Sequence, residues 1–149
     1  MKRNVLVLLF CCFPLFVSTF FAQKATLKEI NKKEFKQLVW DMTKNKKFVF
    51  QGDKPVVIDF YADWCAPCKK VHPILEELQY EYGDKLIIYR INIDKEASRK
   101  PDYPNLFKFE SIPTLLFIKP GQKTRPKPVK IGGITKDDLK RMIDVYLFE

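Results

Sequence analysis

The segment Lys54 to Ala62, KPVVIDFYA, is a nearly continuous β-branched and aromatic run that leads straight into two cysteines three positions apart, in FYADWCAPCKK. A run of that kind reads as a strand covered on both faces, which calls for a parallel or mixed sheet with helices packed against it. Beyond the cysteines, Val71, Ile74, Leu75, Leu78 and Tyr82 recur at helical spacing as far as Gly83, with Pro73 expected to kink the helix they form. The cysteine pair therefore falls at the carboxyl end of a strand, where α/β folds build their sites.

The other elements agree with that frame. Asn31 and Glu34 form a capping-box pattern, and Phe35, Leu38, Val39 and Met42 follow on one helical face. ATLKEI ahead of them reads as a short edge strand, and LIIYRINID, Leu86 to Asp94, as a second buried strand. Pro101 and Pro104 break the stretch after it, leaving room for only a short or irregular helix. TLLFIKPGQKTRPKPVKIGG predicts two strands around a turn at Gly121, the second short and at an edge. Thr135 is the expected N-cap of a closing helix, with Leu139, Met142, Ile143 and Tyr146 along its face. The order implies an α/β sandwich with a central mixed sheet.

A chain of 149 residues, 46% apolar and 30% charged, fits one soluble globular domain. Its first residues have their own pattern: Lys2 and Arg3 precede an uncharged run to Lys24, the layout of a secretory signal peptide. Cleavage after Ala22 would leave residues 23–149 as the domain. The alternatives are an uncleaved anchor, which Pro14, Ser18 and Thr19 weaken, and acylation at Cys11 or Cys12, where the preceding Phe10 is larger than usual. Loss of Lys2 and Arg3 from the 27 basic residues, against 18 acidic ones, takes the net charge from +9 to +7. The remaining positive residues fall mainly in 24–47 and 119–130 without interleaved exposed aromatics or a known nucleic-acid motif, which reads as a solvated face rather than a nucleic-acid surface.

At the strand-to-helix junction, Cys65 meets unpaired backbone N–H groups and the positive end of the helix dipole, both of which favour a thiolate. A thiolate there can attack a disulfide, and Cys68 on the same face can attack the resulting mixed disulfide, leaving a Cys65–Cys68 bond. Pro67 in the first turn stiffens the loop. Three other uses compete. Zinc wants four ligands, and outside the leader the chain offers two cysteines and His72. A purely structural disulfide would close too short a loop to constrain the unfolded chain much. Inert core thiols fit poorly beside Trp64, Pro67 and Lys69. Asp59, mid-strand, is expected to be desolvated with its pKa raised, unless the sheet end satisfies it with backbone N–H groups.

WCAPCK at Trp64 to Lys69 is one residue from the WCGPCK of the thioredoxin superfamily, which the chain resembles over roughly residues 26 to 149. VVIDFYADWCAPCK, Pro73, INID, SIPTLLF and the Gly132-Gly133 pair all carry the likeness. The resemblance implies a three-layer sandwich and a redox-active Cys65–Cys68 disulfide. It gives Asp59 the role of taking the Cys68 proton through water, and makes Pro113 a cis-proline opposite the cysteines. The backbone of Ile112 would then pair with an extended substrate segment, with Trp64, Ala66, Pro67 and Gly133 lining the same groove. The chain also departs from the pattern. Arg90 stands where the family often has lysine, His72 is atypical, and Ala66 replaces a glycine in the dipeptide that influences redox poise.

The function these features imply is an exported, periplasmic thiol–disulfide oxidoreductase that reduces protein disulfides. No cofactor or metal is expected beyond the dithiol. The expected partners are protein disulfides and a membrane thiol carrier as electron donor, with the protein itself a monomer. Oxidase or isomerase action is the alternative within the class, and a non-catalytic binding module is the alternative outside it.

Overall fold

The computed structural model describes residues 25–95 and 102–149. The leader with Cys11 and Cys12, and Pro101, lie outside them. A five-stranded sheet in the order β1-β3-β2-β4-β5 forms the middle layer. β2 (Val56–Tyr61) is central and buried at every position, parallel to β3 (Ile87–Asn92) and antiparallel to β4 (Thr114–Ile118). The short strands β1 (Lys28–Glu29) and β5 (Val129–Lys130) form the edges.

Alternation along β2 divides the core in two. Val56, Ile58 and Phe60 point into an aromatic cluster with Phe35, Trp40, Tyr103 and Phe107, which belongs to the layer of α1 (Lys32–Leu38) and α3 (Tyr103–Phe107). Phe60 sits 5.4 Å from the Tyr103 ring, 5.9 Å from Phe107 and 4.8 Å from Phe109, centroid to centroid. Val57 points the other way, onto Val71, Leu75 and Leu78 of α2 (Ala66–Tyr82) and Leu139, Ile143 and Leu147 of α4 (Lys136–Leu147). A 3-10 turn, Gly83–Lys85, links α2 to β3, and Gly83 closes α2 at φ 52°, a backbone angle that suits glycine. Pro73 lies inside α2, which continues through it to Tyr82. Among the described residues no helix is long and apolar enough to cross a membrane.

The caps at Asn31 and Thr135 form as the sequence predicts: the Asn31 side chain accepts from Lys33 and Glu34 backbone N–H groups, and Thr135 accepts from Asp138. The short helix expected near Pro104 is present as the five residues of α3, with Pro104 in its first turn after the Asp102 cap, where its missing N–H costs nothing. Two expectations need correction. The first helix stops at Leu38, short of Met42, because the Asp41 carboxylate accepts from the backbone of Thr43 and Lys44 and folds the chain into a turn. On α4 the buried position is Leu147, while Tyr146 is about half exposed and stacks on Phe117 at 4.8 Å.

The basic segment after β4 is stapled to the aromatic layer. The Arg125 guanidinium donates to the Leu106 carbonyl at 3.1 Å and lies over the Trp40 ring at 5.5 Å. That position is therefore structural as well as charged.

Truncating Phe60 to Ala removes a fully buried ring with aromatic neighbours and is expected to lower the unfolding free energy by ~3–5 kcal/mol. The measurement is a lower urea midpoint at unchanged slope. Val145→Ala, on the exposed side of α4, should stay within ~0.5 kcal/mol of wild type.

Candidate active site

β2 delivers the chain to Ala62, and the Cys65 N–H donates back to the Ala62 carbonyl at 3.1 Å, closing a tight turn before α2. Cys65 is the N-cap of α2: its backbone is extended, and its Sγ accepts the Cys68 N–H at 3.2 Å. A sulfur held there collects the unpaired donors and dipole of the helix start, which favour negative charge on it. Pro67 lies in the first turn, and Ala66 and Pro67 are exposed. Cys65 and Cys68 are joined in a disulfide with Cα atoms 5.3 Å apart.

Both cysteines are nearly buried, Cys65 2% and Cys68 1% exposed. They form a small cluster with Tyr61 and Ala62, packed by Ile93 and Ile112. What distinguishes the two is what each one faces. Cys65 faces the helix start, whereas Cys68 lines a cleft of about 400 Å3 with Tyr61, Ala62, Asp63, Lys69, His72 and Arg90. A larger cavity of about 770 Å3, between α1 and α3, contains no cysteine and is lined by lysines over Met42 and Leu106. Size is a poor guide here, since the chemistry lies beside the smaller cleft.

Asp59 shares a sheet face with Val57 and Tyr61, and parallel pairing sets it opposite Arg90. It is 1% exposed. Arg90 Nε donates to Asp59 Oδ2 at 3.1 Å, and Oδ1 has no protein hydrogen-bond partner among the described residues. Burial raises the Asp59 pKa from 3.8 to about 6, against the opposing pull of the Arg90 charge and hydrogen bond.

Arg90 extends the polar network outward. Its guanidinium lies 3.6 Å from the Tyr61 ring centroid, and the Tyr61 hydroxyl donates to Glu29 Oε2 at 2.6 Å. Glu29 in turn pairs with Lys95 at 3.1 Å. Burial first, and the bond to Glu29 second, hold the Tyr61 phenol above its usual pKa. Neither Tyr61 nor Glu29 is marked by the sequence as a site residue. Glu29 lies on the two-residue strand β1, and only its register opposite Arg90 brings it to the network.

Trp64, next to Cys65 in the chain, is 69% exposed, and its indole N–H donates to Asp94 Oδ2 at 2.5 Å. Asp94 is held by the turn after β3, where Asn92 Oδ1 accepts from the Asp94 and Lys95 N–H groups. Sequence pattern misses this contact as well, because it spans 30 positions.

The Ile112–Pro113 peptide is cis. Pro113 is buried, its carbonyl accepts from the Ile131 N–H at 3.0 Å, and Ile112 packs on the cysteine cluster. The bond to Ile131 carries the Gly132-Gly133 loop alongside Pro113. At Gly133 a Cβ would meet nothing within 4 Å, so the space there is open. His72 sits one turn after Cys68, 33% exposed, with Nε2 3.4 Å from Glu76 Oε1. Among the described residues no cluster of three or more potential metal ligands occurs.

A family model described as thioredoxin matches residues 26–145. The chain is similar to the thioredoxin of Borreliella burgdorferi, 36% identical over 114 residues that cover 76% of this chain and 92% of that protein. Its likeness to the thioredoxin of Acidithiobacillus ferridurans is 39% over 99 residues, 66% of this chain and 85% of the relative. With the chloroplastic M-type thioredoxin of Spinacia oleracea it shares 38% identity over 102 residues, and it spans about half of that longer protein, 52%. The matched residues carry the whole sheet, the cysteine turn and all but the end of the last helix, and the chain belongs to the thioredoxin family, with a cysteine pair placed for thiol–disulfide oxidoreduction.

Proposed function

We propose that the protein is a reductase of protein disulfides that works outside the cytoplasm. The observation that carries the chemistry is the position of Cys65 as N-cap of α2 with Cys68 one turn behind it, after a strand that carries the buried acid Asp59. In the reduced protein, the Cys65 thiolate attacks a substrate disulfide. One substrate sulfur leaves with the electron pair of the broken bond, and Cys65 is joined to the other. Cys68 then gives its proton to the Asp59 carboxylate through water, and its thiolate attacks Cys65 Sγ. The second substrate sulfur leaves as a thiolate and the Cys65–Cys68 disulfide forms. Two electrons pass from the dithiol to the substrate.

Ile112 and Pro113, with Trp64 and the Gly133 loop, provide the docking groove in this reading. An extended substrate segment pairs with the Ile112 backbone, so shape matters more than side chains. Substrate docking has to open the cover over Cys65, which is nearly closed in the oxidised form.

Export rests on the leader at residues 1–22, whose basic start and uncharged run fit a secretory signal or a retained anchor. The mature unit is then residues 23–149, a periplasmic monomer. Each turnover leaves the pair oxidised, so the protein needs an electron source in that compartment, and a membrane thiol carrier is the partner that fits.

Two experiments test this reading. Cys68→Ser should accumulate Cys65-linked mixed disulfides that reducing agents release. The wild-type dithiol should reduce a model protein disulfide and equilibrate with glutathione on the reducing side of the glutathione couple. A variant that traps nothing, beside a wild type that reduces nothing, would sink the reading, and a potential on the oxidising side would make the protein an oxidase.

Asp59→Asn should separate function from stability. The Asp59 pKa is raised on folding, so the native state holds this proton more tightly than the unfolded chain. Stability from this group is therefore present at low pH and lost as pH rises toward about 6. At ~1.4 kcal/mol for each pH unit between 3.8 and about 6, that loss is about 3 kcal/mol. The Asn variant should gain roughly that much on wild type between pH 4 and pH 8 in urea unfolding. Its disulfide reduction near neutral pH should slow by a factor of ten or more, in line with the ~100-fold contribution of a general base.

A further inference from the structure

A guanidinium carries paired N–H donors in a planar fork that matches both oxygens of a carboxylate. Arg90 spends only one of them on Asp59: Nε donates to Oδ2 at 3.1 Å, while the buried Oδ1 receives no donor from the described residues. Rotation of the guanidinium into the two-bond arrangement would satisfy Oδ1, so something holds it short of that. The guanidinium carbon lies over the Tyr61 ring, 3.6 Å from its centroid. Tyr61 is 6% exposed, and its hydroxyl donates to Glu29 Oε2 at 2.6 Å. Glu29 is itself fixed twice, by Lys95 on Oε1 at 3.1 Å and by the β1–β3 pairing that sets it opposite Arg90. The next N–H along β1, that of Ile30, donates to the Arg90 carbonyl at 2.9 Å.

We propose that Tyr61, anchored by Glu29, is a positioning residue that pins the Arg90 guanidinium by its face and keeps it on a single oxygen of Asp59. The proposal deepens the reductase reading above and rests on it for the role of Asp59 as proton acceptor. A cation held over a ring in a desolvated site resists rotation, because turning away gives up the attraction of the π face. The hydrogen bond to Glu29 stops the ring from following. Burial and that bond hold the phenol above its usual pKa, and the same bond holds the Glu29 carboxyl below its own, so the anchor persists through the range in which Asp59 titrates. Around these contacts stand Arg90 on β3, Lys95 after it, Glu29 on β1, Asp63 on the loop after β2, and Lys69 and His72 on α2. From β4, Leu115 lies opposite Asp59 and brings no charge. With the second bond withheld, the carboxylate lacks a donor and takes up a proton readily, whereas a two-bond guanidinium would hold it as the anion.

The test is an NMR titration of the Asp59 carboxyl carbon in the oxidised protein from pH 4 to 9. The proteins compared are wild type, Tyr61→Phe, Tyr61→Leu, Arg90→Lys and the double variant Tyr61→Leu/Arg90→Lys. The wild-type midpoint is expected at about 6. Tyr61→Leu frees the guanidinium to engage both oxygens and should lower the midpoint by about one pH unit, a tenfold loss of proton affinity. Tyr61→Phe keeps the ring, loses the anchor and should fall about half as far. Lysine has no fork, so on the Arg90→Lys background Tyr61→Leu should leave the midpoint in place. In reduction of a model protein disulfide at pH 7, Tyr61→Leu should be about threefold slower. A midpoint that rises or stays put in Tyr61→Phe or Tyr61→Leu would overturn the proposal. So would an equal fall on the lysine background, which would mean that water entering the vacated space moves the carboxyl. Should Tyr61→Leu fail to fold, Tyr61→Phe with and without Arg90→Lys decides on the same terms. Midpoints that move as expected beside an unchanged rate leave the clamp standing and remove Asp59 from the reductase reading. Rates that obey the reductase reading beside fixed midpoints remove only the clamp.

Discussion

Parallel pairing of β2 with β3, in the register that sets Asp59 opposite Arg90, is the constraint on which the rest of the molecule turns. β2 is covered on both faces along its whole length, so any polar side chain on it must find a partner within the sheet layer or bear the full cost of leaving water. Arg90 meets one oxygen of Asp59 and leaves the other without a protein donor. Burial moves the carboxyl toward neutral pH, and the half-satisfied arrangement opposes that shift only in part. A second good donor would have stabilised the anion and made it a poor proton acceptor near neutrality. Shifting the register by one residue would turn Asp59 into the aromatic layer, among rings and aliphatic side chains.

The two faces of the sheet thus do different work. On the α1 and α3 side the cluster is dominated by aromatic and aliphatic side chains, and the edge-on contacts of Phe35 with the tilted and stacked contacts of Phe60 fix the height at which β2 lies. On the other side the apolar packing of α2 and α4 gives way, toward the end of β2, to the polar network of Asp59, Arg90 and Tyr61. The cysteines sit where that network meets the start of α2. Rigidity comes from one face and reactivity from the other, and β2 transmits the first to the second because it belongs to both.

Much of this is legible in the residue order. The unbroken VVIDFY run marks a doubly covered strand, and an acid within such a run announces a perturbed carboxyl before any coordinate is known. Asn31 and Thr135 declare their helices through side chains that bond three residues ahead, a local event. The misreadings come from competition that periodicity does not register. Asp41 offers its neighbours a turn just where Met42 continues a helical stripe, and Met42 packs on the aromatic cluster from that turn instead of from a helix. Tyr146 has the spacing of a core residue, but Leu147 fills the space and the ring lies on Phe117 instead. Glu29 and Asp94 are beyond any pattern, since their partners Tyr61 and Trp64 lie 32 and 30 positions away and meet them only once register and loop geometry exist.

Arginine at position 90 has a consequence that its charge alone conceals. Lysine beside a buried carboxyl can share a proton with it, since an ammonium shifts its pKa readily when desolvated and the pair can become neutral together. Guanidinium cannot, so Arg90 keeps one positive charge beside the carboxyl whatever the protonation of Asp59. The pair is neutral when Asp59 is ionised and a net cation when Asp59 is protonated. A net cation in a low-dielectric pocket opposes retention of its mobile proton. An arginine beside the acid therefore limits how far burial alone can raise the Asp59 pKa.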